Sequence, residues 1–375
     1  VTTIVGRDPA TGDLVRLTCR DGRIESIRRD RDSATGTGWL SPGFVDVQVN
    51  GFGGWDVNAP VPSADAIEAI TDALAAVGVH QWVPTVITGS EEQIVDRLRA
   101  VEAARRRSPA VRAAVPFSHV EGPFLSPLDG PRGAHPLEHV RDVSAAEVAR
   151  WAEAGRIGYV TLSPHDERAP ADIARIVASG IAVAIGHTHA DPTAIRAAVD
   201  AGATLSTHLG NGIFSTLARH PNPIWTQLAD DRLTAGFIGD GHHLPADTLL
   251  AMVRAKGRGR CYLVSDSVDL AGKPPGRYAR PIGGDVELSD DGRLSMVGAD
   301  ILAGSAVSLA DVVRWVVRNV PIPFAQVIDM AATTPAAVIA ACGGPRSTGL
   351  VVGSPAAALI LGDDGSVIEN HRAPR

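Results

Sequence analysis

Eight short apolar runs punctuate the middle of this chain, and most are separated by a stretch with helical periodicity. The runs cover residues 44–49, 80–87, 113–120, 158–162, 181–185, 203–207, 233–238 and 261–264. Continuous apolar runs of this length are the pattern of strands buried on both faces of a parallel sheet. Between them, residues 63–77, 90–106, 144–154, 170–179, 191–201 and 245–256 read as amphipathic helices. Ser63, Ser90, Ser144 and Asp191 stand at their starts, where a short side-chain oxygen can accept from backbone N–H groups that lack a helical partner. Eight buried strands alternating with helices predict an α/β fold, a TIM-like (β/α)8 barrel; an open doubly wound sheet is the alternative. Residues 276–303, with turn signals at Gly283-Gly284 and Asp290-Asp291-Gly292, read as an inserted hairpin, and helices at 306–317 and 323–332 close the barrel.

The two ends of the chain read differently. Residues 16–19 and 23–27 alternate around an Asp21-Gly22 turn, and residues 356–361 and 366–369 flank Asp363-Asp364-Gly365. Strand-rich ends around a different middle predict one small β-sandwich-like domain built from residues 1–40 and 345–375, with the barrel occupying 41–344.

Composition narrows the class without naming a chemistry. Hydrophobic residues at 45% and charged residues at 21% exclude a wholly disordered chain. A net charge of −7 and the lack of a basic block argue against nucleic-acid binding. The 33 arginines against two lysines, Lys256 and Lys273, are read as genome composition rather than a recognition surface. The apolar stretches are interrupted before the ~20 residues of a membrane span, and no charged-then-apolar leader opens the chain, so a cytoplasmic protein without membrane contact is expected. Three distant cysteines, Cys19, Cys261 and Cys342, suggest neither a disulfide framework nor a thiolate metal site. One item is less bland: ten of the twelve histidines fall between His119 and His243, and histidine is the commonest metal ligand.

A parallel barrel carries its active site at the C-terminal ends of the strands. Those ends read Gln48-Val49-Asn50, His119-Val120-Glu121-Gly122-Pro123, Gly186-His187-Thr188-His189, Thr207-His208-Leu209-Gly210-Asn211, Asp240-Gly241-His242-His243 and Ser265-Asp266-Ser267. Glu121, His187 and His208 offer one carboxylate and two imidazoles from three strands, leaving a position for water as catalytic zinc sites do. Such an ion acidifies water and polarises a carbonyl, and Asp266 would shuttle the proton. One divalent ion is expected, Zn2+ first, with Fe2+, Mn2+ or Co2+ able to take the same donors. Residue spacing alone leaves a hydrolase, an isomerase and a decarboxylase open. Of the neighbouring pair His242 and His243, only one should face the site, and His243 is the choice. His119 either orients the Glu121 loop or fills the barrel interior.

These segments carry a resemblance. Ser41-Pro42-Gly43-Phe44-Val45-Asp46, Pro84-Thr85, His119 to Phe124, Gly133-Ala134-His135, Gly186-His187, Thr207-His208-Leu209 with Asn211, Asp240-Gly241, Leu263-Val264-Ser265-Asp266 and Leu302-Ala303-Gly304-Ser305 together resemble the N-acetylglucosamine-6-phosphate deacetylase family of the amidohydrolase superfamily, over nearly the whole chain. The resemblance implies a metal-dependent hydrolase that cleaves the N-acetyl amide of an amino-sugar phosphate. It matches Glu121, His187 and His208 to the metal ligands, Asp266 to the catalytic aspartate, and His135 to a histidine that helps polarise the acetyl carbonyl. Asn211 and Gly212 match contacts to the sugar phosphate, and His243 and Arg219 match its basic ligands. In the family that arginine reaches across from a partner subunit, so a homodimer is implied.

Two departures stand out. Many amidohydrolases carry His-x-His after the first strand, which supplies a second metal; here Gln48 and Asn50 stand there, and neutral amides favour a one-metal site. The family's Arg-Glu-Pro-Gly-like segment is replaced by Arg219-His220-Pro221-Asn222, and Gly210 and Gly212 flank Asn211 where bulkier residues are common. The alternative within the same chemistry is another N-acylated amine, one without a phosphate included. A non-catalytic relative is disfavoured because Glu121, His187, His208 and Asp266 are all present.

Overall fold

A computed structural model describes residues 1–30, 37–279, 285–298, 302–346 and 349–372. Its centre is an eight-stranded parallel sheet whose strands run Phe44–Val49, Val79–Ile87, Ser118–Glu121, Ile157–Leu162, Ala182–Ile185, Leu205–Ser206, Thr234–Ile238 and Cys261–Val264, each beside its neighbour in chain order. The first and eighth strands then meet. Val49 bridges Ser267 in parallel, Asp266 N donates to Gln48 O at 3.0 Å, and Asn50 N donates to Ser267 O at 2.8 Å. The sheet is therefore a barrel, as the alternation predicts.

The helices lie where the periodicity places them, and all four expected caps form. Ser63, Ser90, Ser144 and Asp191 accept from backbone N–H groups of their first turns, and Ser90 completes a capping box with Gln93. The third strand is shorter than expected. Pro109 at the first helical position and the Ser108 cap start a helix over Pro109–Ala114, so the strand begins only at Ser118. A helix over Pro223–Ala229 was not foreseen; Asn222, in the segment read as phosphate-binding, is its N-cap.

Inside the barrel, Val45, Val47, Val83, Phe117, Tyr159, Leu205, Ile238, Tyr262 and Val264 pack against Ala336, Val338 and Ile339 of the last helix. That plug closes the N-terminal end of the strands and leaves the C-terminal end for chemistry. The plugging helix belongs to a continuous helical stretch, Phe324–Ala341, whose length and mean hydropathy of 1.4 match a membrane span; 56% of it is buried within the protein.

Both chain ends build one six-stranded sheet, ordered Val367–His371, Ala358–Leu361, Trp39–Pro42, Thr2–Arg7, Leu14–Arg20 and Arg23–Asp30. It has its own core of Ile4, Leu17, Ile24, Leu40, Ala358 and Ile360. Asp21 and Gly22 turn the hairpin with φ of 50° and 73°, the left-handed pair that a two-residue hairpin loop requires. The insertion after the eighth strand is larger than a hairpin. Gly276–Tyr278, Val286–Leu288, Arg293–Met296 and Leu302–Ser305 form a four-stranded antiparallel sheet over Leu270, Val286, Leu288 and Leu294. The expected Gly283-Gly284 turn lies outside the described residues.

Lys256 is fully buried, and its ammonium donates to Gln227 O at 2.8 Å and Asp230 O at 2.5 Å, closing the C-terminal end of the Pro223–Ala229 helix. A compact ammonium suits two converging carbonyls in a way a planar guanidinium does not. Burial lowers its pKa to about 8.

Candidate active site

Among the described residues, three non-glycine residues outside the terminal hairpin hold a positive φ, and all three stand out in the sequence: His187 at 47°, His208 at 29° and Asp266 at 50°. Each follows the end of a barrel strand, and the left-handed step aims the side chain over the barrel mouth. Such backbone costs roughly 1–3 kcal/mol per residue and persists only where the surroundings enforce it. Gly212, at φ 60°, lies so close beneath His187 that a Cβ there would sit 2.8 Å from its Nδ1. The His187 Nδ1–H donates to Pro131 O at 2.9 Å, so its Nε2 presents a lone pair.

That lone pair meets two others. His208 Nε2 lies 3.0 Å from His187 Nε2 and 3.0 Å from Glu121 Oε1, and His187 Nε2 lies 3.3 Å from the same oxygen. Donor–donor edges of ~3.3–3.4 Å follow from tetrahedral zinc with bonds of ~2.0–2.1 Å, so three electron-pair donors at these spacings fit a small divalent cation. Ligand atoms of Glu121, His135 and His187 also lie within 4.8 Å of one another. Burial opposes the charge on Glu121, yet when the two imidazoles are protonated rather than ligating, hydrogen bonds and charges from His187 and His208 hold its carboxyl well below the usual range. Burial likewise opposes protonation of His208, and Glu121 outweighs it to raise the imidazole.

The remaining candidates divide into two groups. Asp266 is at the same mouth: burial first, then the charge of Glu121, lift its carboxyl to about 6, while His208 and His243 pull it down. His135 is buried with its ring centroid 4.5 Å from that of His187; its Nδ1 has no partner, and burial lowers its pKa to about 3. His243 Nδ1 pairs with Asp240 Oδ2 at 2.6 Å, while His242 turns away to Asp291 O at 3.1 Å. Asn211 N donates to His208 O, and its side-chain Nδ2 is buried without a partner. Arg219 differs from them in its exposure to solvent, and it has no ion-pair partner among the described residues.

No family model matches the chain. The N-acetylgalactosamine-6-phosphate deacetylase of Shewanella sp. (strain ANA-3) is 31% identical over 342 residues, covering 88% of this chain and 81% of that protein. The chain belongs to the N-acetylhexosamine-6-phosphate deacetylase family. Human N-acetylglucosamine-6-phosphate deacetylase is 30% identical, covering 87% of this chain and 80% of that protein. The Mycobacterium smegmatis N-acetyl-D-glucosamine-6-phosphate deacetylase, in complex with N-acetyl-D-glucosamine-6-phosphate, superimposes with a TM-score of 0.85 at 28% identity, covering 99% of this chain and 96% of that one. Membership makes this deacetylase-family chain a hydrolase of an amide carbon–nitrogen bond.

The two amides that replace His-x-His have work of another kind. Gln48 Nε2 lies 3.2 Å from both oxygens of Glu121 and donates to that carboxylate. Asn50 Nδ2 donates to Asp266 Oδ1 at 2.7 Å. From the sequence alone both amides read only as poor metal ligands. Their strand-end positions, opposite two carboxylates, were the signal available. Asp46 was also missed: it is fully buried, one carboxyl oxygen lacks a partner, and burial raises its pKa to about 7.

Proposed function

We propose that this chain deacetylates an N-acetylhexosamine 6-phosphate, with N-acetylglucosamine 6-phosphate giving glucosamine 6-phosphate and acetate. The observation that carries the reading is the triangle of Glu121 Oε1, His187 Nε2 and His208 Nε2 with Asp266 at the same mouth. A divalent ion held by those three donors supplies Lewis acidity to the acetyl carbonyl and to the attacking water. Zn2+ is the proposed ion, because two imidazoles and a carboxylate are a common zinc set; Fe2+, Mn2+ and Co2+ accept the same donors.

The chain's own groups then divide the proton work. Asn50 occupies Asp266 Oδ1 and leaves Oδ2 to take the proton of the attacking water. The same carboxyl returns that proton to the departing nitrogen as the carbon–nitrogen bond breaks. His135, neutral, donates to the acetyl oxygen as negative charge develops there. Gln48 keeps the Glu121 carboxylate ionised and oriented. Asn211, Gly212 and His243 are proposed to contact the sugar phosphate.

Arg219 is proposed to act on the phosphate of a partner subunit's site. Its exposure, with Trp225 55% and Phe214 36% exposed in the same region of the chain, supports a homodimer. A cytoplasmic setting is part of the same proposal, and the three free, buried cysteines accord with it.

The test is acetate release across matched N-acetyl amino sugars with and without a 6-phosphate, in both the gluco and galacto series. Asp266→Asn should keep its metal and lose turnover, whereas His208→Ala should lose metal. Wild-type turnover in the first, full metal in the second, or preference for free sugars refutes the corresponding assignment.

A further inference from the structure

Beneath the three ligands a chain of hydrogen bonds crosses the barrel, and His119 is its middle. His119 lies two residues before Glu121 on the third strand, so both side chains leave the same face. Its ring is fully buried and stacks on Tyr159 with centroids 4.1 Å apart, while the Tyr159 hydroxyl donates to Val47 O of the first strand.

The direction of each bond follows from what its neighbours have already used. Val49 N donates to Thr85 Oγ1 at 3.1 Å, so the Thr85 hydroxyl proton is free for His119 Nδ1 at 3.2 Å. A neutral imidazole that accepts at Nδ1 carries its proton on Nε2, which donates to Thr161 Oγ1 at 2.7 Å. The Thr161 hydroxyl then donates to Thr207 Oγ1 at 2.6 Å. The path touches the first four strands and the residue that follows the sixth. It ends one residue before His208.

The third ligand is tied in by packing. Gly186, immediately before His187, fits between Thr161 and Thr207 so closely that a Cβ would lie 2.8 Å from Thr161 Cγ2 and 2.9 Å from Thr207 Cβ.

We propose that His119 is a positioning residue whose two hydrogen bonds fix the spacing of the strand ends carrying Glu121, His187 and His208, and so set the affinity and coordination geometry of the bound metal. The inference rests on the assignment of those three residues as ligands. A histidine that merely filled the barrel would contribute packing but no such control. Groups that hold metal ligands in place typically change metal affinity 10–100-fold when removed.

Three variants test this in the full chain: His119→Leu, which keeps bulk and loses both bonds; Thr161→Val, which cuts the path with little change of shape; and His119→Gln, which restores an N–H towards Thr161. Zn2+ dissociation constants come from competition with a chromophoric chelator, the visible spectrum of the Co2+ form reports geometry, and thermal melting of the metal-free proteins reports folding. His119→Leu and Thr161→Val should bind Zn2+ about 10–100-fold more weakly with displaced Co2+ bands, and His119→Gln should recover most of the affinity. If His119→Leu does not fold, Thr161→Val and His119→Gln decide the matter. A folded Thr161→Val protein with wild-type Zn2+ affinity and an unchanged Co2+ spectrum overturns the proposal. Wild-type protein that binds no Zn2+ or Co2+ overturns the ligand assignment instead.

Discussion

Replacing Asn50 by leucine removes the 2.7 Å hydrogen bond to Asp266 Oδ1 and nearly preserves side-chain size. The backbone bond from Asn50 N to Ser267 O, which helps close the barrel, is untouched. A hydrogen bond to a charged group contributes about 1.5–3 kcal/mol, and one pKa unit is worth about 1.4 kcal/mol. Because the amide donates, it favours the carboxylate; without it the Asp266 pKa rises by about 1–2 units. Burial and Glu121 already lift that carboxyl to about 6, so a further rise carries it through neutrality. As the proposed base, Asp266 must be ionised to take the proton from water, so the acid limb of the kcat profile should move up by the same 1–2 pH units. The assay is kcat from pH 5 to 9 at saturating substrate, with metal content measured on each sample. A metal-replete Asn50→Leu enzyme whose acid limb has not moved refutes either the base role of Asp266 or the tuning role of Asn50.

Two further predictions concern the scaffold. Gly158→Ala would place a methyl 2.3 Å from the Phe117 ring inside the barrel, and overpacking of this kind should destabilise by about 1–3 kcal/mol, seen as a lower denaturant midpoint; an unchanged midpoint contradicts the packing. Lys256 has a folded pKa of about 8 against an ordinary 10.5, so between those values the unfolded chain binds more protons and stability rises with pH. Measured against Lys256→Met, the wild type should gain stability from pH 8 to 10.5, and a flat or falling difference would remove the buried charge from the account.

The barrel was legible because its signals are local and repeated. An apolar run such as 261–264 has no surface to alternate with, and the structure holds it as Cys261–Val264. Ser63, Ser90, Ser144 and Asp191 cap helices through bonds made within three residues. The third strand, expected over 113–120, was overextended because Ala113, Ala114 and Val115 read equally well as the start of a strand or the end of a helix, and only Ser108-Pro109 upstream separates the two outcomes. Candidate site residues with a demanding chemistry, such as Glu121, His187, His208 and Asp266, can be picked out by type and strand-end position. Gln48, Asn50 and the His119 path were not, because an amide or hydroxyl declares a role only through the partner opposite it, and those partners lie tens to hundreds of residues away. Arg219 shows the converse: a residue matched by family pattern that the single chain leaves facing solvent.

The closure of the Pro223–Ala229 helix by Lys256 has a practical side. With only two lysines in the sequence and one of them wholly enclosed, amine-directed reagents have Lys273 as the sole exposed lysine. Its side-chain end rests against Gly54, beside the loop that follows the first barrel strand. A fluorophore, a surface linker or a cross-linker placed there would report from the rim of the barrel, at a position the sequence makes chemically unique among lysines.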